Sequence, residues 1–166
     1  MSVSDFKSRP KTRLVLVLDS VRSGLNVGSI FRTADAFALE KILLCGITAQ
    51  PPHREILKTA LGSTESVDWQ YFESATEAVQ ELKKEGYTVL AIEQTTQKIW
   101  LQDLVPETEK PYAFVLGNEV EGVDNEVLAL CDGALEIPQF GTKHSLNVAV
   151  AAGIVVWEFV RTQTNP

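Results

Sequence analysis

The chain has 166 residues, of which 45% are hydrophobic and 22% charged, with a formal net charge of −7 at pH 7. That balance suits one domain with a sizeable core and excludes a largely disordered chain. No run reaches the roughly 18 consecutive apolar residues of a membrane span, and the opening MSVSDFKSRPKTR lacks the apolar stretch of a secretory signal, so a cytoplasmic protein is expected. Cys45 and Cys131 lie far apart in apolar surroundings, and the chain has two histidines, which leaves no pattern for metal or redox chemistry. Net acidity argues mildly against nucleic acid, but residues 1 to 66 carry nine Lys/Arg against six Asp/Glu, while the remainder carries six against sixteen.

Arg13 to Asp19 (RLVLVLD) reads as a strand, and Asn26 to Leu39 spaces Ile30, Phe31, Ala34 and Phe37 at helical intervals. KILLCG is a short apolar run, followed by PPHREILKTALGS, a Pro-opened helical turn closed by Gly62. Ser66 to Phe72 reads as a strand; Ser74 caps an amphipathic helix with Glu77 as capping-box partner and Gly86 at its end. YTVLAIE is a buried strand, and residues 94 to 111 read as loop. YAFVLG (Tyr112 to Gly117) is another strand, a short helix runs from Asp124 to Leu130, ALEIP is a brief strand, and a final helix contains the unbroken apolar run Val148 to Trp157. Alternating apolar strands and helices predict an α/β fold, a mostly parallel sheet flanked by helices on both faces, with residues 1–166 as one domain.

The familiar nucleotide and hydrolase fingerprints are missing. The first strand-to-helix turn, DSVRSGLNVGS, has no GxGxxG; GNEVEGV lacks the GK[ST] of a P-loop; and no GxSxG elbow occurs. Instead, three polar clusters fall at the C-terminal ends of strands, where open α/β sheets bind ligands. In N26-V-G-S-I-F-R32, Asn26 is placed to cap the helix and Arg32 to face inward among apolar neighbours. In L116-G-N-E-V-E-G122, Glu119 sits mid-loop, and in the third cluster Ser145 and Asn147 precede the last helix, with His144 beside them as a surface or substrate-facing residue. Each has an ordinary explanation alone: an N-cap with a surface arginine, an acidic turn, and a second cap.

Together, NVGSIFRTADAF, LGNEVEGV and IPQFGTKHSLNVAVAAGIVVWE resemble, in order and spacing, the three signature motifs of the SpoU (TrmH-like) RNA ribose 2′-O-methyltransferases of the SPOUT superfamily, from about Val15 to Phe159. Ala38 stands where that family often has glycine. The resemblance implies a C-terminal deep trefoil knot spanning about residues 87 to 160, an exception to the rule against knots. It implies S-adenosylmethionine as cofactor, no metal, and cofactor contacts from Thr95, Gly117, Asn118, Ile137 and Leu146. It further implies methyl transfer to a ribose 2′-hydroxyl, with Arg32, Asn26, Glu119, Ser145 and Asn147 as catalytic residues. An arginine is too weak a base to act as a free one, so Arg32 is assigned an electrostatic role, holding a phosphate and stabilising alkoxide charge. Implied partners are RNA, met by the N-terminal half, and a second copy in a homodimer, with no membrane. Little chain lies beyond the motifs, which favours tRNA slightly over rRNA. Two alternatives stay open: a SPOUT relative methylating a base nitrogen, and a non-catalytic RNA-binding or assembly factor retaining the fold.

Overall fold

The computed structural model describes residues 1–143 and 145–163. In chain order the elements are α1 (Val3–Ser8), β1 (Thr12–Asp19), α2 (Gly24–Ala36), β2 (Leu39–Cys45), α3 (Arg54–Ala60), α4 (Ser63–Ser66), β3 (Trp69–Phe72), α5 (Ala75–Lys84), β4 (Thr88–Ile92), β5 (Ile99–Trp100), a 3₁₀ turn (Leu101–Asp103), β6 (Tyr112–Leu116), α6 (Asn125–Leu130), β7 (Gly133–Glu136) and α7 (Val148–Gln163). The seven strands form one sheet in the order β3-β2-β1-β6-β4-β7-β5, and every neighbouring pair is parallel. Parallel pairing forces each connection to cross a face of the sheet, so both faces are covered.

The alternation within β1 shows why. Leu14, Leu16 and Leu18 point to one face and meet Val27, Ile30 and Phe31 of α2 and Val155, Val156 and Phe159 of α7. Val15 and Val17 point to the other, against Ala78, Val79 and Leu82 of α5 and Val127 of α6. Successive Leu and Val residues therefore feed two separate cores from one strand. The Phe159 ring closes the first core, lying 5.6 Å from Tyr112 and edge-on to Phe114 at 5.8 Å.

Several expectations shift. Asn26 does not cap α2: the helix starts two residues earlier, at Gly24, and Ser23 is the cap, accepting from the Asn26 N–H at 3.2 Å. The capping box expected at Ser74 is half present, with Ser74 accepting from the Glu77 N–H, whereas Ser2 and Asp5 exchange both bonds at the unpredicted α1. The strand expected from Ser66 begins at Trp69, because Ser63–Ser66 forms a helical turn after two left-handed residues, Leu61 (φ 50°) and Gly62 (φ 87°). The stretch read as loop contains β5, whose two residues pair with Leu135 and Glu136, too short a strand for any periodicity to register.

Candidate active site

The C-terminal ends of β1, β4, β6 and β7 open on one edge of the sheet, and the motif loops meet there. Gly117 to Gly122, leaving β6, closes on itself: the Asn118 and Gly122 N–H groups donate to each other's carbonyls at 3.0 and 2.9 Å. The Asn118 side chain holds the turn from within, its Oδ1 accepting from the Val120 and Glu121 N–H groups at 2.9 and 3.0 Å, while its Nδ2 donates to the Ser20 carbonyl at 2.8 Å. Two glycines permit this geometry. Gly122 has φ +71°, and a Cβ on Gly117 would overlap the Gly122 carbonyl and the Val123 nitrogen. Glu93, the residue after β4, accepts the Val123 N–H at 2.9 Å and ties the far end of the loop to the sheet.

From this loop Glu119 reaches the start of α2. Its Oε2 accepts from the Arg22 N–H at 2.9 Å, and its Oε1 accepts from the Ser23 N–H at 3.0 Å and from Asn26 Nδ2 at 3.2 Å. Asn26 Oδ1 in turn accepts from Asn147 Nδ2 at 3.2 Å, and Asn147 Oδ1 caps α7, accepting from the Ala149 and Val150 N–H groups at 2.9 and 3.2 Å. The relay fixes its own polarity. A carboxylate only accepts and a backbone N–H only donates, so both amides between them have one orientation that satisfies every partner. Burial pushes the Glu119 carboxyl up, but the bonds from Arg22, Ser23, its own backbone and Asn26 together outweigh it and hold its pKa below the usual glutamate value.

Beside the relay lies a cleft of about 110 Å³ that opens to solvent. Gly117, Asn118, Ile137 and Leu146 line it, as do Glu119 and Ser145. Leu135, Val148 and Ala151 extend its apolar wall. Thr95 is not in the lining: Glu93 and Gln94 stand there, and the Thr95 hydroxyl donates to the Gln97 carbonyl at 2.7 Å. Glu93 escaped the sequence reading although it ends the strand YTVLAIE, the very position at which α/β sheets present ligand-binding groups.

Arg32 does not face inward. It is exposed, and it lines a separate groove with Arg9 rather than the cleft. Helical geometry explains the divergence: six residues at roughly 100° each carry Arg32 about 240° round α2 from Asn26, while its neighbour Phe31 takes the buried side. Within one chain, then, Asn26, Glu119 and Asn147 are bonded together, Ser145 sits at the same cleft, and Arg32 stands apart. His144 lies outside the described residues.

The model of the SpoU rRNA Methylase family matches residues 13–157. The chain belongs to that family. Among curated proteins, an uncharacterised tRNA/rRNA methyltransferase of Synechocystis is 32% identical over 93% of this chain and 55% of its own length. The 23S rRNA (guanosine(2553)-2′-O)-methyltransferase of Bacillus subtilis is 36% identical over 87% of this chain and 57% of its own. The chain thus spans little more than half the length of these SpoU relatives. Among solved structures, the AdoMet-bound rRNA methyltransferase of Sinorhizobium meliloti superposes with a TM-score of 0.85 at 27% identity, covering 99% of this chain and 62% of that one. A structure described as giving insight into 2-OH methylation of C/U34 on tRNA has a TM-score of 0.80 at 26% identity and covers 90% of this chain and 95% of that one. The seven-stranded parallel sheet is the SpoU architecture. Among the described residues no group of three or more His, Cys, Asp or Glu is arranged to hold a metal, and no helix is long and apolar enough to cross a membrane.

Proposed function

We propose that this chain transfers the methyl group of S-adenosylmethionine to a ribose 2′-hydroxyl of RNA, with tRNA slightly favoured over rRNA. The observation that carries the reading is the relay Asn147–Asn26–Glu119, which draws one residue from each of the three motifs into a hydrogen-bonded row at the rim of a cleft. Three independent structural accidents would not converge on one edge of the sheet.

The cleft suits an adenosine-bearing cofactor. Ile137, Leu146 and Leu135 offer apolar faces for a purine, and the tight Gly117–Gly122 loop brings bare backbone to its wall. When bound, the cofactor supplies an already activated methyl group, so the protein's task is alignment and charge. Gly117, Asn118, Ile137 and Leu146 would hold it. Asn26, locked by Glu119 on one side and Asn147 on the other, would orient the ribose, with Ser145 completing the polar rim. Arg32 would bind a phosphate and stabilise charge developing on the oxygen. A 2′-hydroxyl acceptor selects RNA over DNA.

Arg32 stands away from the cleft of its own chain, which supports action across a homodimer, the arginine of one subunit serving the other's cleft. The last helix has a surface for such a partner: Val150, Ile154 and Trp157 recur along one face of α7 and remain exposed, Trp157 to 54%. We also infer one domain, its N-terminal half facing RNA and residues 87 to 160 forming the knotted cofactor region; β4 lying between β6 and β7 in the sheet supports that threading.

The test is incubation with methyl-labelled S-adenosylmethionine and total tRNA or rRNA, followed by nuclease digestion and mass spectrometry. Label in a 2′-O-methylnucleoside is expected; label on a base, or cofactor binding with no transfer to either RNA, refutes the proposal. Arg32→Ala should abolish transfer while cofactor affinity stays within about twofold of the unmodified protein.

A further inference from the structure

We infer that Arg9 and Arg32 together grip one phosphodiester of the substrate strand, which makes α1 a substrate-binding element. The inference rests on the proposed RNA reading and adds a residue that the family signature does not contain, since α1 and Arg9 lie outside the matched residues 13–157.

Although only six residues long, α1 is firmly seated. Phe6 is buried against the body, Lys11 lies over its ring at 4.0 Å and donates to its carbonyl, and Lys7 pairs with Asp68 at 3.8 Å. Arg9 follows as the C-cap in extended conformation (φ −76°, ψ 154°), the conformation that the next residue, Pro10, imposes on its neighbour. The side chain therefore leaves the helix from a constrained backbone and enters the groove that Arg32 lines from α2.

That groove encloses about 690 Å³, far more than ordered water requires. Among the described residues neither arginine has a carboxylate within ion-pair distance. The one acid in the lining, Asp35, accepts a hydrogen bond from the Ser66 hydroxyl. Two guanidiniums therefore line one concavity, and planar forks of donors can hold a phosphate with more specificity than lysines would give. The neighbouring surface fits the rest of a nucleotide: Leu61 is 65% exposed on the same groove, presenting an apolar face beside the charged one. An acidic peptide would satisfy the charges, but phosphate, sugar and base together satisfy both.

The experiment uses the full chain with total tRNA and total rRNA as separate probes. Four proteins are compared: unmodified, Arg9→Ala, Arg9→Lys and Lys84→Ala, the last removing an exposed cation on α5, remote from the groove in the fold. RNA affinity is measured across a potassium chloride series, together with KM, kcat, cofactor affinity and melting temperature. Arg9→Ala should raise KM about tenfold, as expected for a lost charge-assisted bond, with kcat within twofold, and lower the salt slope by about 0.7–0.9, the loss of one phosphate contact. Arg9→Lys should keep the slope and recover part of the affinity, and Lys84→Ala should match the unmodified protein. Unchanged KM and slope in Arg9→Ala, or an equal loss in Lys84→Ala, overturns the inference while leaving methyl transfer intact. RNA bound with the predicted slopes but never methylated would sink the proposed reaction and spare the groove. Failure of the unmodified protein to bind tRNA or rRNA would sink both.

Discussion

Replacing Glu119 by alanine removes three hydrogen bonds at once, two of them backbone N–H groups that open α2. A net hydrogen bond to a charged group contributes about 1.5–3 kcal/mol when buried, but these donors lie at an exposed edge where water can replace the lost acceptor, so about 0.5–1 kcal/mol each is reasonable. The loss is then about 1.5–3 kcal/mol, a fall in melting temperature of roughly 3–12 °C for a chain of this size. Glu119→Gln is the sharper probe. Each carboxylate oxygen accepts a separate backbone N–H, so an amide must turn its NH₂ toward a donor at one of them, and most of the destabilisation should persist although size and polarity are kept. The folded pKa of Glu119 is depressed, so its contribution is present above the ordinary glutamate value near 4.5 and disappears as pH falls through the lower folded value. Thermal melts of the three proteins from pH 7 to pH 3 check this: the gap between the unmodified protein and Glu119→Gln should narrow toward acid. Equal melting at pH 7, within about 0.3 kcal/mol, would refute the account of Glu119 as the bolt between the loop and α2.

Gly117→Ala should lose cofactor affinity at least tenfold and melt earlier, because its Cβ would overlap the Gly122 carbonyl; calorimetric titration with S-adenosylhomocysteine reads the first and circular dichroism the second. Burial raises the folded pKa of Asp19, so its charge costs stability at neutral pH; Asp19→Asn, which keeps an acceptor for the Asp124 N–H, should stabilise at pH 7 and lose that advantage below the ordinary aspartate value. A pH-independent difference between the two would contradict this. Ile154→Asp, in the middle of the exposed α7 stripe, should halve the mass seen by light scattering if a homodimer forms there; an unmodified protein that is already monomeric would remove the dimer from the mechanism.

Much of the architecture could be read before any coordinates. The alternation of RLVLVLD and YAFVLG with helical segments demands parallel strands buried on both faces, and the structure has them. What periodicity missed were short pieces, α1, α4 and β5, whose six, four and two residues complete too few periods to be seen. The cap of α2 moved from Asn26 to Ser23 because both residue types suit an N-cap and local preference cannot choose between them; the bond from Asn26 to Glu119, 93 residues away in sequence, leaves Ser23 as the cap.

By itself, the sequence determined the family, the sheet class and the three loops that matter, since motif order and hydrophobic period are properties of the chain alone. Only the tertiary structure decided which residues touch. It joined Asn147, Asn26 and Glu119 into one relay, admitted Glu93 to the cleft in place of Thr95, and sent Arg32 to a groove beside Arg9. Hydrogen bonds between residues roughly a hundred positions apart are set by the crossing of strands and the rotation of a helix about its axis, and neither is written in any local stretch of sequence.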